Sequence, residues 1–98
     1  MGLCNKRNSY TGQYRSIGDG AFSECKYLKE IVISDSVKSI GDYAFYRCKD
    51  LKEIVIPDSV KNIGDSAFED CENLTIRAHK GSYAEQYTLE NDIPFEEI

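Results

Sequence analysis

The sequence predicts an α/β repeat fold: a solenoid of about three 23-residue coils with a parallel β-ladder, short convex helices and a C-terminal helical cap. Two neighbouring stretches, residues 26–48 and 49–71, are identical at 17 of 23 positions. The second half of this unit occurs a third time, because residues 17–25 read IGDGAFSEC where residues 40–48 read IGDYAFYRC. A period between about 20 and 50 residues is typical of solenoids, in which each unit packs on copies of itself.

Each unit begins with a short strand. The apolar residues follow the pattern L-x-x-I-x-I, as at Leu28, Ile31 and Ile33. Alternation with a period of two through β-branched residues is typical of a strand with one buried face. The predicted parallel ladder comprises residues near 30–34, 53–57 and 74–78.

The second half of each unit predicts a turn and a short helix. The dipeptides at residues 35–36 (DS) and 57–58 (PD) turn the chain after the strand. Gly41 and Gly64 predict a tight backbone bend, and the DYAFYRC or DSAFEDC that follows predicts about two helical turns with the aspartate as N-cap. We expect these helices on the convex side, opposite the ladder.

The two ends of the chain depart from the repeat. Residues 1–13 predict an irregular N-terminal segment or a degenerate first strand, because NSYTG replaces IVISD there. Residues 14–73 contain the repeats, and residues 74–98 predict the last strand and a C-terminal cap. A terminal element that covers the apolar end of the last coil is what a solenoid needs for solubility.

The C-terminal segment has its own signals. The register after Cys71 is predicted to be about two residues short. Ser82 and Glu85 predict a capping box that opens a helix to about Glu90, and Asn91 is expected to close it in a left-handed conformation. The final IPFEEI predicts an extended segment.

Composition excludes several classes of protein. The net charge of -5 and the interleaving of Lys and Arg with acids argue against a nucleic-acid surface, which needs clustered basic residues. No apolar run approaches the roughly 20 residues of a membrane span. The opening MGLCNKRNSY has no apolar core of a secretory signal.

The cysteines follow the repeat. Cys25, Cys48 and Cys71 are each 23 residues apart, and no C-x₂-C pair of a zinc site is present. We expect them to stack as a buried ladder of free thiols. Adjacent coils are close enough for a disulfide, but an odd number of stacked cysteines favours free thiols. Cys4 lies outside this register and is expected to be exposed.

No pattern predicts catalysis, a cofactor site or a metal site. The G-x-G at residues 18–20 lacks the third glycine of a dinucleotide loop. His79 has no nucleophile that the sequence places against it, and carboxylate pairs such as residues 69–70 are typical of a solvated surface. We therefore predict that the chain is not an enzyme.

The alternation inside the strands predicts a partner-binding face. If Ile31 and Ile33 point inward, their neighbours point outward and form a stripe across successive strands. Val32 and Val55 make its centre apolar, although valine also simply favours strands. The candidate binding residues of the stripe are Glu30, Val32, Ser34, Glu53, Val55, Pro57, Thr75 and Arg77.

Tyrosines at variable repeat positions give a second set of candidates. Tyr27, Tyr43 and Tyr46 stand where the other repeat has Asp, Ser and Glu. Aromatic residues outside the core are often contact residues, and the alternative is that they fill an irregular N-terminal half.

The residues also resemble a known family. The unit L-x-x-I-x-I-P-x-S-V-x-x-I-G-x-x-A-F-x-x-C resembles the BspA-like class of leucine-rich repeats, and the tail KGSYAEQYTLENDIPFEEI is similar to the usual C-terminal cap of that class. The resemblance covers residues 14–98. It implies a leucine-rich-repeat solenoid in a cell-surface or secreted, adhesin-like protein that binds a protein of a host or neighbouring cell.

The sequence thus predicts a non-catalytic protein-binding module without a cofactor. The alternative from a different class is a structural or self-assembly module, in which the uncapped N-terminal coil pairs with another copy to give a homo-oligomer, because an open ladder edge is a template for pairing.

Overall fold

The part of the chain that the computed structural model describes, residues 7–10 and 14–98, forms two parallel sheets and one α-helix. We refer to residues 14–25, 26–48 and 49–71 as the first, second and third units, and to residues 74–98 as the C-terminal segment. The elements in chain order are β1 (Arg7–Tyr10), β2 (Ser16–Ile17), β3 (Glu30–Ile33), β4 (Ser39–Ile40), β5 (Glu53–Val55), β6 (Asn62–Ile63), β7 (Thr75–Ala78), α1 (Tyr83–Asn91) and β8 (Phe95–Glu97).

The larger sheet has five strands in the order β1-β3-β5-β7-β8, and each neighbouring pair is parallel. Equivalent residues of successive units pair, since Ile31 lies beside Ile54 and Ile54 beside Ile76. The predicted parallel ladder is therefore confirmed, although β3 and β5 end earlier than expected and β7 begins one residue later. The degenerate stretch at the N-terminus still forms a strand, β1, beside β3.

The register also corrects one prediction about the C-terminal segment. Ile31 and Ile54 are 23 residues apart, whereas Ile54 and Ile76 are 22 apart. Only one residue is missing after Cys71, not about two. The loss falls between Leu74 and Ile76, since Leu74 is still 23 residues after Leu51 and both are buried.

A second parallel sheet, in the order β2-β4-β6, was not predicted. Its strands have two residues each and pair Ile17 with Ile40 and Ile40 with Ile63. Two residues are too few to show an alternating pattern, so the sequence shows these isoleucines only as isolated apolar positions. All three are buried and join the core from this side.

The prediction of short helices on the convex side is wrong. Residues 19–24, 42–47 and 65–70 form consecutive turns, and in the first two of these segments alternate residues donate their N–H groups to the next unit instead of to their own turn. Phe22 N bonds Ala44 O at 2.7 Å, and Phe45 N bonds Ala67 O at 2.7 Å. We call this arrangement the turn ladder. Two residues of each turn segment have left-handed backbone, which makes the alternate N–H groups point along the stack of units. These residues are Gly20 and Glu24, Tyr43 and Arg47, and Ser66 and Asp70.

The repeated spacing of Gly and Asp has a different cause from the predicted bend and N-cap. The Asp19 carboxylate oxygen Oδ1 accepts the N–H of Asp42 at 2.9 Å, and Asp42 Oδ1 accepts the N–H of Asp65 at 2.8 Å. Gly41 and Gly64 have no left-handed backbone. They are needed because the preceding unit lies so close that a Cβ has no space.

The core lies between the two sheets and the turn ladder. Phe22, Phe45 and Phe68 stack with ring centroids 5.2 and 5.1 Å apart and interplanar angles of 1° and 2°. Aromatic stacking of this kind adds to the free energy of burying the rings. The repeated apolar positions thus contact their own counterparts in the next unit, as the repeat predicts.

The C-terminal segment packs on the end of the third unit. The Tyr87 ring contacts the edge of the Phe stack, 6.0 Å from Phe68 and inclined at 63°, and the hydroxyl of Tyr83 accepts the N–H of Ile63 at 3.3 Å. Strand β8 continues the larger sheet beside β7, and Ile98 N bonds Ala78 O at 3.0 Å.

The ends of α1 follow the predicted signals with one difference. Ser82 is the N-cap and accepts the N–H of Glu85, whose carboxylate accepts the N–H of Gly81 at 2.7 Å. The left-handed residue is Asp92 (φ 56°), not the predicted Asn91, which is still helical. Asn91 instead donates its side-chain amide to Tyr87 O at 2.9 Å, an interaction that needs the last turn to continue.

Candidate functional site

The outer face of the larger sheet brings together six of the eight predicted stripe residues. Glu30 and Val32 lie on β3, Glu53 and Val55 on β5, and Thr75 and Arg77 on β7. Pairing places them in two rows: Glu30, Glu53 and Thr75 in one, and Val32, Val55 and Arg77 in the other. We call these six residues the outer-face stripe.

The two valines are the apolar centre of the stripe. Val32 is 54% exposed and Val55 is 37% exposed, although their neighbours Ile31 and Ile54 are almost fully buried. Adjacent exposed valines in register form a small apolar patch, and patches with polar rims are typical of protein interfaces.

A groove of about 480 Å³ runs over this patch. It lies between the outer faces of β3 and β5 and is lined by Lys29, Glu30, Ile31, Val32, Lys52, Glu53 and Val55. Lysines at one end and glutamates beside the valines give the rim both signs of charge. Such a rim fits the mixed polar surface of a protein partner rather than a single-charge ligand such as a nucleic acid.

Arg77 is held by its own sheet. Its guanidinium lies 3.2 Å from a Glu96 carboxylate oxygen and 4.0 Å from one of Glu53. Glu96 was missed by sequence reasoning, because β8 places it beside Arg77 and the short FEE sequence shows only one alternation. Exposed ion pairs contribute little free energy, but these two hold the Arg77 side chain at the C-terminal side of the stripe.

Ser34 and Pro57 do not belong to the face. Strands β3 and β5 end at Ile33 and Val55, so both residues lie in the following turns and are half-buried. The Ser34 hydroxyl bonds the hydroxyl of Ser36 at 2.6 Å and accepts the N–H of Ser36 at 3.0 Å. These bonds stabilise the turn that follows β3.

The candidate tyrosines lie outside the strands that form the outer-face stripe. Tyr43 and Tyr46 are in the turn ladder and contact each other edge to face at 5.4 Å, and the Arg47 guanidinium lies 5.4 Å from the centre of the Tyr46 ring. Tyr27 is 69% exposed in the turn that leads to β3. Tyr43 and Tyr46 therefore form a cluster outside the outer-face stripe.

The cysteine ladder differs from the prediction at one rung. Cys25 is disulfide-bonded, whereas Cys48 and Cys71 are free, so the prediction of three free thiols is wrong at Cys25. The bond does not join adjacent rungs, because both other rungs are free; the odd number of stacked cysteines was therefore no argument against it. The expected exposure of Cys4 falls outside the described residues.

The two free thiols donate hydrogen bonds to the preceding unit. Cys48 Sγ donates to Phe22 O at 3.1 Å and Cys71 Sγ to Phe45 O at 2.9 Å. The neighbouring Cys71 thiol and burial raise the pKa of Cys48, and the neighbouring Cys48 thiol lowers the pKa of Cys71. These thiols are structural, since each one satisfies a carbonyl at a place where two units meet.

The comparisons with known proteins agree with the repeat geometry. A family model described as BspA type Leucine rich repeat region (6 copies) matches residues 6–95. The chain belongs to the BspA-type leucine-rich repeat family. No curated protein and no solved structure matches this BspA-type chain. Membership of the family indicates a protein-interaction module.

Two further observations describe this BspA-type protein. Within residues 7–10 and 14–98, no helix is long and apolar enough to cross a membrane. In the same part of the chain, no group of three or more His, Cys, Asp or Glu side chains is arranged to hold a metal ion.

Proposed function

We propose that the chain is a non-catalytic protein-binding module that contacts its partner with the outer-face stripe. The observation that carries the proposal is the pair of exposed, in-register valines, Val32 and Val55, in a groove with a mixed-charge rim. Family membership supports the same function, since leucine-rich repeats of this type are generally interaction modules without catalysis.

The proposal includes the architecture that presents this face. The in-register sheets and the turn ladder support a solenoid of three units, and the packing of Tyr83, Tyr87 and β8 on the third unit supports residues 74–98 as its C-terminal cap. Residues 14–73 are then the repeat region, and Arg7–Tyr10, within the N-terminal segment, is the first strand.

The context we propose is an adhesin-like protein of a cell surface or a secreted protein. Members of the BspA-like family are often surface-associated, and the chain matches that family over residues 6–95. The disulfide at Cys25 supports the same context, because disulfides persist mainly in oxidising compartments. The partner is then a protein on a host or neighbouring cell.

The test replaces both valines by aspartate, V32D together with V55D. Proteins captured from surface extracts of candidate host cells are purified, and their Kd is measured with the parent and with the variant. We expect the double variant to bind at least about 30-fold more weakly, which corresponds to roughly 2 kcal/mol. Far-UV circular dichroism and the urea midpoint report whether the fold is retained.

Two further variants make the test specific. L89D together with I98D adds the same charge at exposed apolar residues outside the stripe, which are 67% and 43% exposed, and should leave the Kd unchanged. V32T together with V55T keeps β-branched side chains and therefore the strand, but removes apolar surface. If every purified partner binds the aspartate and threonine variants as tightly as the parent, the stripe is not the binding site.

A second candidate function is self-assembly through the N-terminal edge. Strand β1 is the first strand of the larger sheet, so its outer edge is available for pairing in the part of the chain that the structure describes. Sedimentation equilibrium distinguishes the two: a mass that stays at 11.1 kDa at high concentration refutes self-assembly, and a multiple of that mass supports it.

A further inference from the structure

The last rung of the turn ladder has an unused row of backbone donors. In the first unit, Gly20 and Glu24 donate to the carbonyls of Asp42 and Tyr46, at 2.9 and 2.6 Å. The second unit repeats the pattern towards the third, where Tyr43, Phe45 and Arg47 donate to Asp65, Ala67 and Glu69 at 3.0, 2.7 and 2.9 Å. Every second N–H group of a rung therefore points towards the C-terminal end of the molecule.

Ser66, Phe68 and Asp70 occupy the same positions in the third unit. Their backbone has the same conformation, since φ is 55° at Ser66 and 57° at Tyr43, and 62° at Asp70 and 59° at Arg47. Their N–H groups thus point away from the second unit. No hydrogen-bond acceptor is present for these three groups among residues 7–10 and 14–98. Water is their default partner, and a backbone carbonyl is a better one when it is supplied in register.

The C-terminal segment leaves room at this edge. Strand β8 continues the larger sheet and Tyr87 covers the ring of Phe68, but neither supplies a fourth rung to the turn ladder. A cavity of about 320 Å³ remains there, between the third unit and the end of α1. Its walls are Ser66, Phe68, Glu69, Asp70, Tyr87, Asn91 and Ile93.

The charge at this edge selects the ligand. Glu69 and Asp70 are exposed carboxylates at the cavity, and among the residues that the structure describes Asp70 pairs with Arg47 at 3.5 Å. An anion would meet the N–H groups but be repelled by both carboxylates. A peptide chain provides uncharged carbonyl acceptors, and a Lys or Arg side chain on it would pair with Glu69, for which no ion pair exists among the described residues.

We propose that this edge is a second protein-binding site, which takes a peptide segment of a partner as a fourth rung. Three carbonyls at alternate positions of the segment accept the N–H groups of Ser66, Phe68 and Asp70, and a basic side chain next to the last of them lies beside the carboxylates of Asp70 and Glu69, as Arg47 lies beside Asp70. This is strand-addition recognition on a turn ladder, in which the backbone supplies most of the contacts. The site does not involve the outer-face stripe, so either one can be refuted alone.

The first experiment measures amide hydrogen exchange of the full chain without a ligand. The amides of Ser66, Phe68 and Asp70 should exchange at least about 100-fold faster than those of their counterparts Tyr43, Phe45 and Arg47, because only the latter are hydrogen-bonded. Equal protection of both sets would show that the donors are already satisfied and would overturn the proposal.

The second experiment supplies a fourth rung. The probe is a peptide of residues 41–48 with Cys48→Ser and blocked ends, because this segment has carbonyls in the required positions and an arginine at position 47. It is added to ¹⁵N-labelled chain at up to about 1 mM. The amide protons of Ser66, Phe68 and Asp70 should move downfield, and their exchange should slow at least about tenfold at saturation.

Controls separate backbone pairing from other causes. A peptide with an alkene in place of the amide that follows Ala44 loses the central carbonyl and should bind at least about tenfold more weakly. E69K should weaken the unmodified peptide by a similar factor, whereas E97K, the same charge change on β8, should not. Acetate at equal concentration should leave the three amides unchanged.

Three results would overturn the proposal. One is an absence of shifts at these three amides at the highest peptide concentration. Another is a peptide response located on β3 and β5 instead, which would assign the binding to the outer-face stripe. The last is an equal response to acetate, which would show an anion site in place of a peptide site.

Discussion

Alanine replacement at one repeat position should have opposite effects in different units. Gly18, Gly41 and Gly64 are equivalent residues, and none has left-handed backbone. A Cβ on Gly18 would meet nothing within 4 Å. A Cβ on Gly41 would lie 2.6 Å from Asp19 N and 2.8 Å from the carbonyl carbon of Gly18. Gly64 has the same two distances, to Asp42 N and to the carbonyl carbon of Gly41.

The magnitude follows from three contributions. Forcing a methyl group against backbone costs about 1–3 kcal/mol, because two units must move apart. That movement weakens the bond from Asp42 N to the Asp19 carboxylate, now 2.9 Å, which is worth about 1.5 kcal/mol at a partly exposed site. Alanine returns about 0.4–1 kcal/mol by restricting the unfolded chain. G41A and G64A should each lose roughly 2–4 kcal/mol of unfolding free energy.

The assay is urea unfolding followed by far-UV circular dichroism, with the three variants compared at equal concentration. G18A is the matched control and should be as stable as the parent or more stable by up to about 1 kcal/mol. A loss at G18A equal to that at G41A would show that the glycines serve backbone conformation. Losses below about 0.5 kcal/mol at Gly41 and Gly64 would show that the units are not in close contact.

Three other predictions concern the core and its titratable groups. F45A should lose about 3–5 kcal/mol in the same assay, because the ring is fully buried between two others, and a loss below about 1 kcal/mol would contradict the stack. Maleimide should label Cys71 before Cys48, because Cys48 is fully buried with a raised pKa and Cys71 is half-buried with a lowered pKa. It should label Cys25 only after the disulfide is reduced. Labelling of Cys48 before Cys71 would contradict the thiol geometry. Burial raises the pKa of Tyr87 to about 12, so its contribution to stability is complete below pH 10 and is lost as the pH rises towards 12. Y87F cannot ionise at this position and should therefore lose less stability than the parent over that interval. Parallel curves of unfolding free energy against pH for the two proteins would refute the role of burial.

The sequence by itself determined the repeat and its inward face. The 23-residue period of residues 17–71 fixes which residues contact one another, since Ile31 meets its copy Ile54 and Phe45 meets its copy Phe68. The alternation of the L-x-x-I-x-I pattern was enough to place Val32 and Val55 on the outer face. The Ser82 and Glu85 signals likewise predicted the start of α1, because N-capping depends on residues close in sequence.

Only the tertiary structure decided how the second half of each unit is built. DYAFYRC is compatible with a helix in local propensity, but its alternate N–H groups bond the next unit, and those acceptors are far away in sequence. The roles of Gly41 and Asp42 changed for the same reason, from a bend and an N-cap to a close approach and a bond between units. Contacts between units also created the open donor row at Ser66, Phe68 and Asp70, since a donor is unpaired only where the stack of units ends.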